Sequence, residues 1–197
     1  SCLLGRIAAS FGAPSYRTLT GFKWLASEAM ARDAGGALPV FAYEEALGYG
    51  LMHFVRDKDA IISCALIAET AAWAKDQGKS LYEMLLEIYL QYGFYKESLL
   101  SVVRKGKEGA EEIQQMMKDY RSTPPATLSG SRVILIADYQ SREMKDMVSG
   151  KTSPIGLPKS NVLRFFTADG SKVSIRPSGT EPKIKYYFGV KAALPSL

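Results

Sequence analysis

Hydrophobic residues recur at helical spacing along most of the first half of the chain. Near its start, Leu3, Leu4 and Ile7 fall on one face, and further along Ile61, Ala65 and Ala68 do the same. This spacing predicts helices over residues 1–11, 21–33, 60–77 and 80–92. Short apolar runs predict strands over 16–20 and 38–43, the second apolar enough to be buried on both sides. The pattern is typical of an α/β domain, a mixed sheet flanked by helices.

The second half of the chain alternates polar and apolar residues with the period of two that strands require. Strands are predicted over 94–103, 131–137, 161–167, 172–176 and 183–190, with a helix over 106–120. Residues 168–171 make a good hairpin turn, whereas 139–160 are polar and predict a mobile loop. Gly93 is a candidate domain boundary. The order of elements predicts a small α+β domain with an antiparallel sheet.

Composition narrows the class of protein without choosing a function. A chain of 197 residues with 47% hydrophobic residues suits one large or two small globular domains. The net charge of +5 comes from mixed acids and bases and would steer anionic ligands. The densest basic cluster, 104–107, is followed at once by acidic residues and is interpreted as the start of a solvated helix. Neither a nucleic-acid nor a membrane partner is expected.

Cysteine and histidine usage excludes several kinds of site. Cys2 and Cys64 make no disulfide framework, and neither a signal peptide nor an apolar run long enough for a bilayer is visible. A cytoplasmic location is therefore expected. His53 is the sole histidine, which excludes multi-histidine metal sites. Asp57 and Asp59 are explained more simply as a helix cap and a first-turn charge than as metal ligands.

The loop Arg176–Pro182, between two predicted strands, has the chemistry of a phosphate site. Arg176 offers a planar fork of donors, and Ser178 and Thr180 supply hydroxyls. Gly179 lets the backbone approach closely and take a positive φ, so that successive amides can hold an anion. Prolines at both ends lower the ordering cost of binding. A polar turn that only joins two strands remains the alternative.

Two charged positions in the first half are candidates for ligand contacts. Lys23 falls in the first turn of a predicted helix, where a cation is unfavourable for the helix dipole. Glu44 and Glu45 follow the strand 38–43, at the end where open α/β sheets place ligands. A carboxylate there can accept hydrogen bonds from two adjacent sugar hydroxyls. A surface lysine and a helix cap or surface acid remain the alternatives.

Three stretches, in order along the chain, resemble motifs of the α-D-phosphohexomutases, the phosphoglucomutase and phosphomannomutase family. Arg176–Pro182 (RPSGTEP) resembles the phosphate-binding loop of the family's last domain. Residues 18–24 (TLTGFKW) resemble the lysine motif of its third domain, and 41–49 (FAYEEALGY) its sugar-recognition loop. The resemblance covers nearly the whole chain. It implies a third domain lacking its first strand at 1–93 and a C-terminal domain lacking its closing helix at 94–197.

The resemblance also implies a role for each matching residue. The non-reacting phosphate of a phosphorylated hexose would be bound by Arg176, Ser178, Gly179, Thr180 and Lys185. Glu44 would bind sugar hydroxyls and Lys23 would reach the phosphosugar. Many family members have serine where this chain has Ala46, so one sugar contact of that loop is expected to differ.

The family's reaction moves a phosphoryl group between the 1 and 6 positions of a hexose through a phosphoserine and a bisphosphate. The phosphoserine loop and the aspartate loop that binds magnesium belong to its first two domains, and neither motif occurs in these 197 residues. The resemblance therefore implies no catalytic residue here, magnesium and glucose 1,6-bisphosphate as cofactors of the parent enzyme, and the missing N-terminal domains as partners. The chain is expected to be inactive alone. The alternative, a stand-alone sugar-phosphate-binding module, predicts a gene without the missing motifs upstream.

Overall fold

The computed structural model describes residues 2–37, 40–44, 48–53 and 55–194. The described chain forms two compact units. The first extends to Gly93 and includes Leu194, and the second is Phe94–Ala193.

The first unit contains the helices predicted from periodicity. Its elements are α1 (Cys2–Ser10), α2 (Phe22–Ala34), β1 (Ala42–Glu44), β2 (Gly48–Gly50), α3 (Ala60–Asp76) and α4 (Leu81–Tyr92). Strands β1 and β2 pair antiparallel, with Glu44 opposite Gly48. A small core of Phe22, Ala29 and Met52 lies between α2 and this hairpin.

Local side chains define where α3 and α4 begin. The Asp59 carboxylate accepts hydrogen bonds from the amides of Ile61 and Ile62, which satisfies donors that the first turn of α3 leaves open. Ser80 and Glu83 form the predicted capping box at the start of α4. The predicted caps at Asp59 and Ser80 are therefore confirmed, whereas the predicted first-turn charge is wrong, because the first turn of α3 contains no acidic residue and Asp57 precedes the cap.

Helix α3 is apolar on all sides, yet the described residues of this unit bury little of it. Ala74 is its buried position, whereas Ile61 and Trp73 are 87% and 56% exposed. No described helix is long and apolar enough to cross a bilayer.

The two strands predicted in this unit are wrong in part. Residues 16–20 form no strand. The strand predicted over 38–43 is β1 alone, since Val40 and Phe41 lie outside it and are exposed; residues 38–39 lie outside the described chain. The aromatic rings of Phe41, Tyr43 and Tyr49 stack on one another, with centroids 6.3–6.4 Å apart. These apolar positions serve a ring cluster on a hairpin, which a short apolar run does not distinguish from a buried strand.

The second unit is an antiparallel sheet with one helix. Its elements are β3 (Phe94–Val103), α5 (Gly106–Ser122), β4 (Thr127–Leu128), β5 (Ser131–Asp138), β6 (Glu143–Asp146), β7 (Thr152–Pro154), β8 (Leu163–Thr167), β9 (Lys172–Pro177) and β10 (Lys183–Ala192). The strand order is β3-β10-β9-β8-β5-β6-β7, and β4 pairs with β5. Every predicted strand and helix of this half is present.

The core of this unit lies on the sheet face that α5 covers. Ile113 and Met117 of α5 pack against Leu163, Phe165 and Ile175 of the sheet, among other buried residues. Because side chains alternate along a strand, the neighbours of these buried residues point to the other face. We call this second face the open face, since α5, the one helix of this fully described unit, lies on the other side. It is not uniformly exposed, because some residues on it are buried, namely Ala137, Tyr139 and Ser174.

The prediction of a mobile loop over 139–160 is wrong. Residues 143–146 and 152–154 form the hairpin β6–β7 at the sheet edge. The Asp146 carboxylate accepts hydrogen bonds from the amides of Val148 and Ser149, at 2.7 and 2.9 Å, and so closes the turn. These backbone bonds lower the pKa of Asp146. Short polar edge strands carry no apolar alternation, so their pattern resembles that of a loop.

Candidate functional site

The loop between β9 and β10 is closed by its own backbone and tied to the end of β3. The amide of Ser178 donates to the carbonyl of Lys183, and the amide of Lys183 donates to that of Glu181, both at 2.7 Å. The amide of Arg104 donates to the Pro182 carbonyl at 2.9 Å. The loop is therefore preorganised, which reduces the entropy lost when it binds a ligand.

Ser178 turns the loop and keeps a hydroxyl hydrogen to donate. Its Oγ accepts hydrogen bonds from the amides of Thr180 and Glu181, at 3.4 and 3.3 Å. The predicted positive φ at Gly179 is wrong, because the Ser178 side chain makes the turn without a left-handed residue. A Cβ at Gly179 would meet no atom within 4 Å. The glycine therefore leaves open space before the loop, as close approach of a ligand requires.

Two cations stand side by side next to this loop, on the open face. Arg176 of β9 is directly opposite Lys185 of β10, and both are half-buried. Directly opposite residues have Cβ atoms about 5 Å apart, and like charges in such pairs are destabilising. Within the described chain, neither side chain forms a salt bridge. An anion bound between them would remove the repulsion.

The carboxylate of the loop itself is bonded to another lysine. Glu181 accepts a hydrogen bond from Lys183, with Nζ 2.8 Å from Oε2. This bond, and then the charges of Lys183 and Lys185, lower the pKa of Glu181. The acid is therefore ionised at neutral pH, while the Arg176–Lys185 pair stays available to a ligand.

On its other side the loop faces the start of α5. A groove of about 480 Å³ is lined by Gly106, Ala110, Ile113 and Gln114 of the helix and by residues 178–182. The N-cap residue, Lys105, makes no side-chain cap. The first amides of a helix attract negative charge. The loop thus lies between a pair of cations and a helix N-terminus.

In the first unit, three side chains converge on Gly48. A Cβ at this position would lie 2.7 Å from the Phe22 ring and 2.9 Å from Cγ of both Glu44 and Lys58. Only glycine fits without displacing these neighbours. The pairing of Glu44 with Gly48 therefore brings the predicted sugar ligand next to a lysine that the sequence did not single out.

Lys58 is fixed in this cluster by contacts on two sides. Its Nζ lies 4.8 Å from the centroid of the Phe22 ring and 2.9 Å from Asp57 Oδ1. The hydrogen bond to Asp57, and then the charges of Asp57 and Glu44, raise the pKa of Lys58. Sequence reasoning interpreted Asp57 as a cap or first-turn charge, and no local signal marked Lys58, because its proximity to Glu44 depends on the hairpin.

The other predicted sugar contacts are less completely placed. Lys23 is exposed in the first turn of α2, and its Nζ lies 5.1 Å from the Trp24 ring centroid. Its neighbour Phe22 belongs to the Glu44–Lys58 cluster. Ala46 lies outside the described residues. Among the described residues, no three histidine, cysteine or acidic side chains converge to hold a metal ion.

Known proteins resemble the chain along almost its whole length. Residues 1–92 match the model of the phosphoglucomutase/phosphomannomutase alpha/beta/alpha domain III, and residues 100–193 match that of the C-terminal domain of the same family. Phosphoglucomutases of Staphylococcus aureus strains MRSA252 and bovine RF122 / ET3-1 are each 40% identical over 173 residues, which is 88% of this chain and 31% of theirs.

A solved structure extends the likeness to the fold. Parafusin, a phosphoglucomutase from Paramecium crystallised in an open form, is similar with a TM-score of 0.62 at 21% identity, over 98% of this chain and 32% of that one. The likeness confirms the predicted fold class, an α/β domain followed by a small α+β domain with an antiparallel sheet. The chain belongs to the phosphoglucomutase/phosphomannomutase family. It spans about a third of the length of these relatives.

Proposed function

We propose that this chain is the phosphosugar-binding part of a phosphohexomutase, which interconverts hexose 1-phosphate and hexose 6-phosphate. The observation that carries the proposal is the pairing of Arg176 with Lys185 beside a preformed hydroxyl-bearing loop. Two unpaired cations on adjacent strands are costly without an anion and fit a phosphate dianion. The loop would bind the phosphate that does not react.

Each element of the loop has a role in this arrangement. Arg176 donates two parallel hydrogen bonds to phosphate oxygens, and Lys185 contributes a point charge. The hydroxyls of Ser178 and Thr180 donate further bonds, and Gly179 leaves room for the phosphate. Holding the remote phosphate orients the sugar, which is where phosphoryl transfer gains much of its rate.

The cluster around Gly48 would hold the sugar itself. The Glu44 carboxylate accepts hydrogen bonds from two adjacent hydroxyls, while Lys58 donates to a sugar or phosphate oxygen. Lys23, in the same unit, would add a further cation. We assign residues 1–93 to the family's third domain and 94–197 to its last domain.

The remaining chemistry would come from the missing part of the parent protein. There a serine would carry the phosphoryl group to the free hydroxyl of the sugar, and the resulting bisphosphate would return its other phosphoryl group to the serine. Magnesium would neutralise charge on the group in transit, but the described residues do not fit a metal site, so no step here depends on it. We expect the 197-residue chain to have no mutase activity.

A titration with glucose 1-phosphate, followed residue by residue by NMR, tests this function. We expect saturable shifts at Ser178, Thr180 and Glu44. Arg176→Ala should abolish them, whereas Lys118→Ala, which removes an exposed lysine from α5, should not. Absence of saturable shifts in the unsubstituted chain, or an equal loss in both variants, would refute the proposed phosphate site. Magnesium-dependent mutase activity of the 197-residue chain would refute the expectation that it is inactive alone.

A further inference from the structure

Arg164 on β8 is held rigidly on the open face by neutral groups. It lies between the buried residues Leu163 and Phe165, so its own side chain points away from the core. Its Nε donates to the Ser174 hydroxyl at 2.8 Å. Its Cζ lies 5.6 Å from the Tyr139 ring centroid and 6.0 Å from that of Phe166. These contacts leave the two terminal nitrogens for another partner.

No carboxylate of the second unit, all of which is described, forms a salt bridge with Arg164. Asp138, opposite the neighbouring Leu163, pairs with Arg121 at 2.9 Å, and Glu97, three strands away on β3, pairs with Lys172 at 3.5 Å. A half-buried arginine with oriented donors and no counter-ion among the residues of its own unit is the arrangement that binds carboxylates and phosphates.

The strand register places Arg164 close to the phosphate loop. Arg164 is directly opposite Ser174, and Arg176 follows Ser174 by two residues on the same face. Such diagonal neighbours on adjacent strands lie about 7–8 Å apart. Because both long side chains lie on the same face at this separation, their guanidinium groups can contact one hexose bisphosphate.

The rest of the open face is also basic. Its cations on strands β8, β9 and β10 are Arg164, Lys172, Arg176, Lys183, Lys185 and Lys191, and Lys183 is paired with Glu181. The carboxylate facing them from β3 is Glu97, and the Lys172 side chain crosses Gly189 to reach it. Because Lys172 is paired, the free positive charge near the loop is concentrated on Arg164, Arg176 and Lys185.

We propose that Arg164 forms a second phosphate-binding position, which takes one phosphate of a hexose bisphosphate while the Arg176–Pro182 loop holds the other. This inference rests on the proposed function. It gives the chain a second contact that can keep the bisphosphate bound when the loop releases one phosphate, as the change of sugar orientation requires. The guanidinium loses little conformational entropy on binding, because Ser174 and the rings of Tyr139 and Phe166 already orient it.

Binding of glucose 1-phosphate and of glucose 1,6-bisphosphate to the 197-residue chain tests this position. We expect the bisphosphate to bind about tenfold more tightly or better, as a charge-assisted contact to a second phosphate allows. Arg164→Gln should remove most of this preference and leave monophosphate affinity unchanged. Arg164→Lys, which keeps the charge but not the fork, should reduce it in part. Lys172→Gln removes the same charge from the same face and serves as the matched control.

Each other outcome overturns a distinct claim. If Arg164→Gln and Arg164→Lys leave the bisphosphate preference intact, the second position is refuted and the loop remains. If Lys172→Gln reduces the bisphosphate preference as much as Arg164→Gln does, the preference comes from the overall positive charge of this face. The second position is then likewise refuted. If Arg176→Ala leaves monophosphate binding unchanged, the proposed function fails, and the second position fails with it.

Discussion

Replacing Lys185 by glutamine should stabilise the second unit and weaken phosphate binding at the same time. Lys185 is directly opposite Arg176, and neither forms a salt bridge within the described chain. Removing one of two opposed like charges on a sheet stabilises the fold by about 0.2–1 kcal/mol. Loss of a charged contact to phosphate should weaken glucose 1-phosphate binding by about tenfold or more.

Lys183→Gln is the matched control for this prediction. Lys183 precedes Lys185 by two residues on the same face, but its Nζ lies 2.8 Å from Glu181 Oε2. Its removal breaks a favourable pair, so stability should fall slightly, by about 0–1 kcal/mol. Added salt should narrow the difference between the two variants, because it screens both the repulsion and the attraction.

Urea unfolding followed by NMR signals of β9 and β10 measures the stability of this unit. Tryptophan fluorescence would not do so, because Trp24 and Trp73 both lie in the first unit. A Lys185→Gln variant that is less stable than the unsubstituted chain, or that binds glucose 1-phosphate with undiminished affinity, would contradict the reasoning. Lower stability would mean that Lys185 makes a net favourable contact in the fold. Undiminished affinity would mean that Lys185 does not contact the phosphate.

Two further predictions concern one residue in each unit. Gly48→Ala should displace Glu44, because the new Cβ would lie 2.9 Å from Glu44 Cγ. Such overpacking should destabilise the hairpin by about 1–3 kcal/mol. The measurement is loss of the Glu44 NMR shift on sugar binding, and an unchanged shift would contradict the prediction. The hydrogen bond from Thr167, and then the Ser171 amide, lower the pKa of Asp169 in the fold, so its stabilising effect is present above about pH 4 and is lost as pH falls through the lowered pKa. Urea unfolding between about pH 5 and pH 2 should therefore show a shallower decline for Asp169→Asn, and an equally steep decline would refute the assignment.

Local signals in the sequence were sufficient for most helices and strands. Asp59 and the Ser80–Glu83 pair mark helix starts through bonds that span three residues or fewer, so they are readable without the fold. Part of the pattern of β9 and β10 likewise follows from burial of Ile175 and Ile184 on the face that α5 covers. The loop Arg176–Pro182 was found because its chemistry is contiguous in the chain.

Misassigned segments are those where local pattern and environment disagree. Residues 38–43 are apolar because three aromatic rings stack on a hairpin, and 139–160 are polar because their strands lie at a sheet edge. In both segments, the hydrophobicity of the residues reflects their surroundings in the fold and does not indicate the backbone conformation.

Tertiary structure alone decided which charged groups share a surface. The strand register sets Arg176 opposite Lys185, and it places Arg164 diagonal to Arg176 although twelve positions separate them in the chain. The β1–β2 hairpin likewise brings Lys58 to Glu44 around Gly48. The sequence determines residue chemistry and local conformation through short-range bonds. Contacts between distant segments depend on how strands pair and helices pack, and no local pattern carries that information.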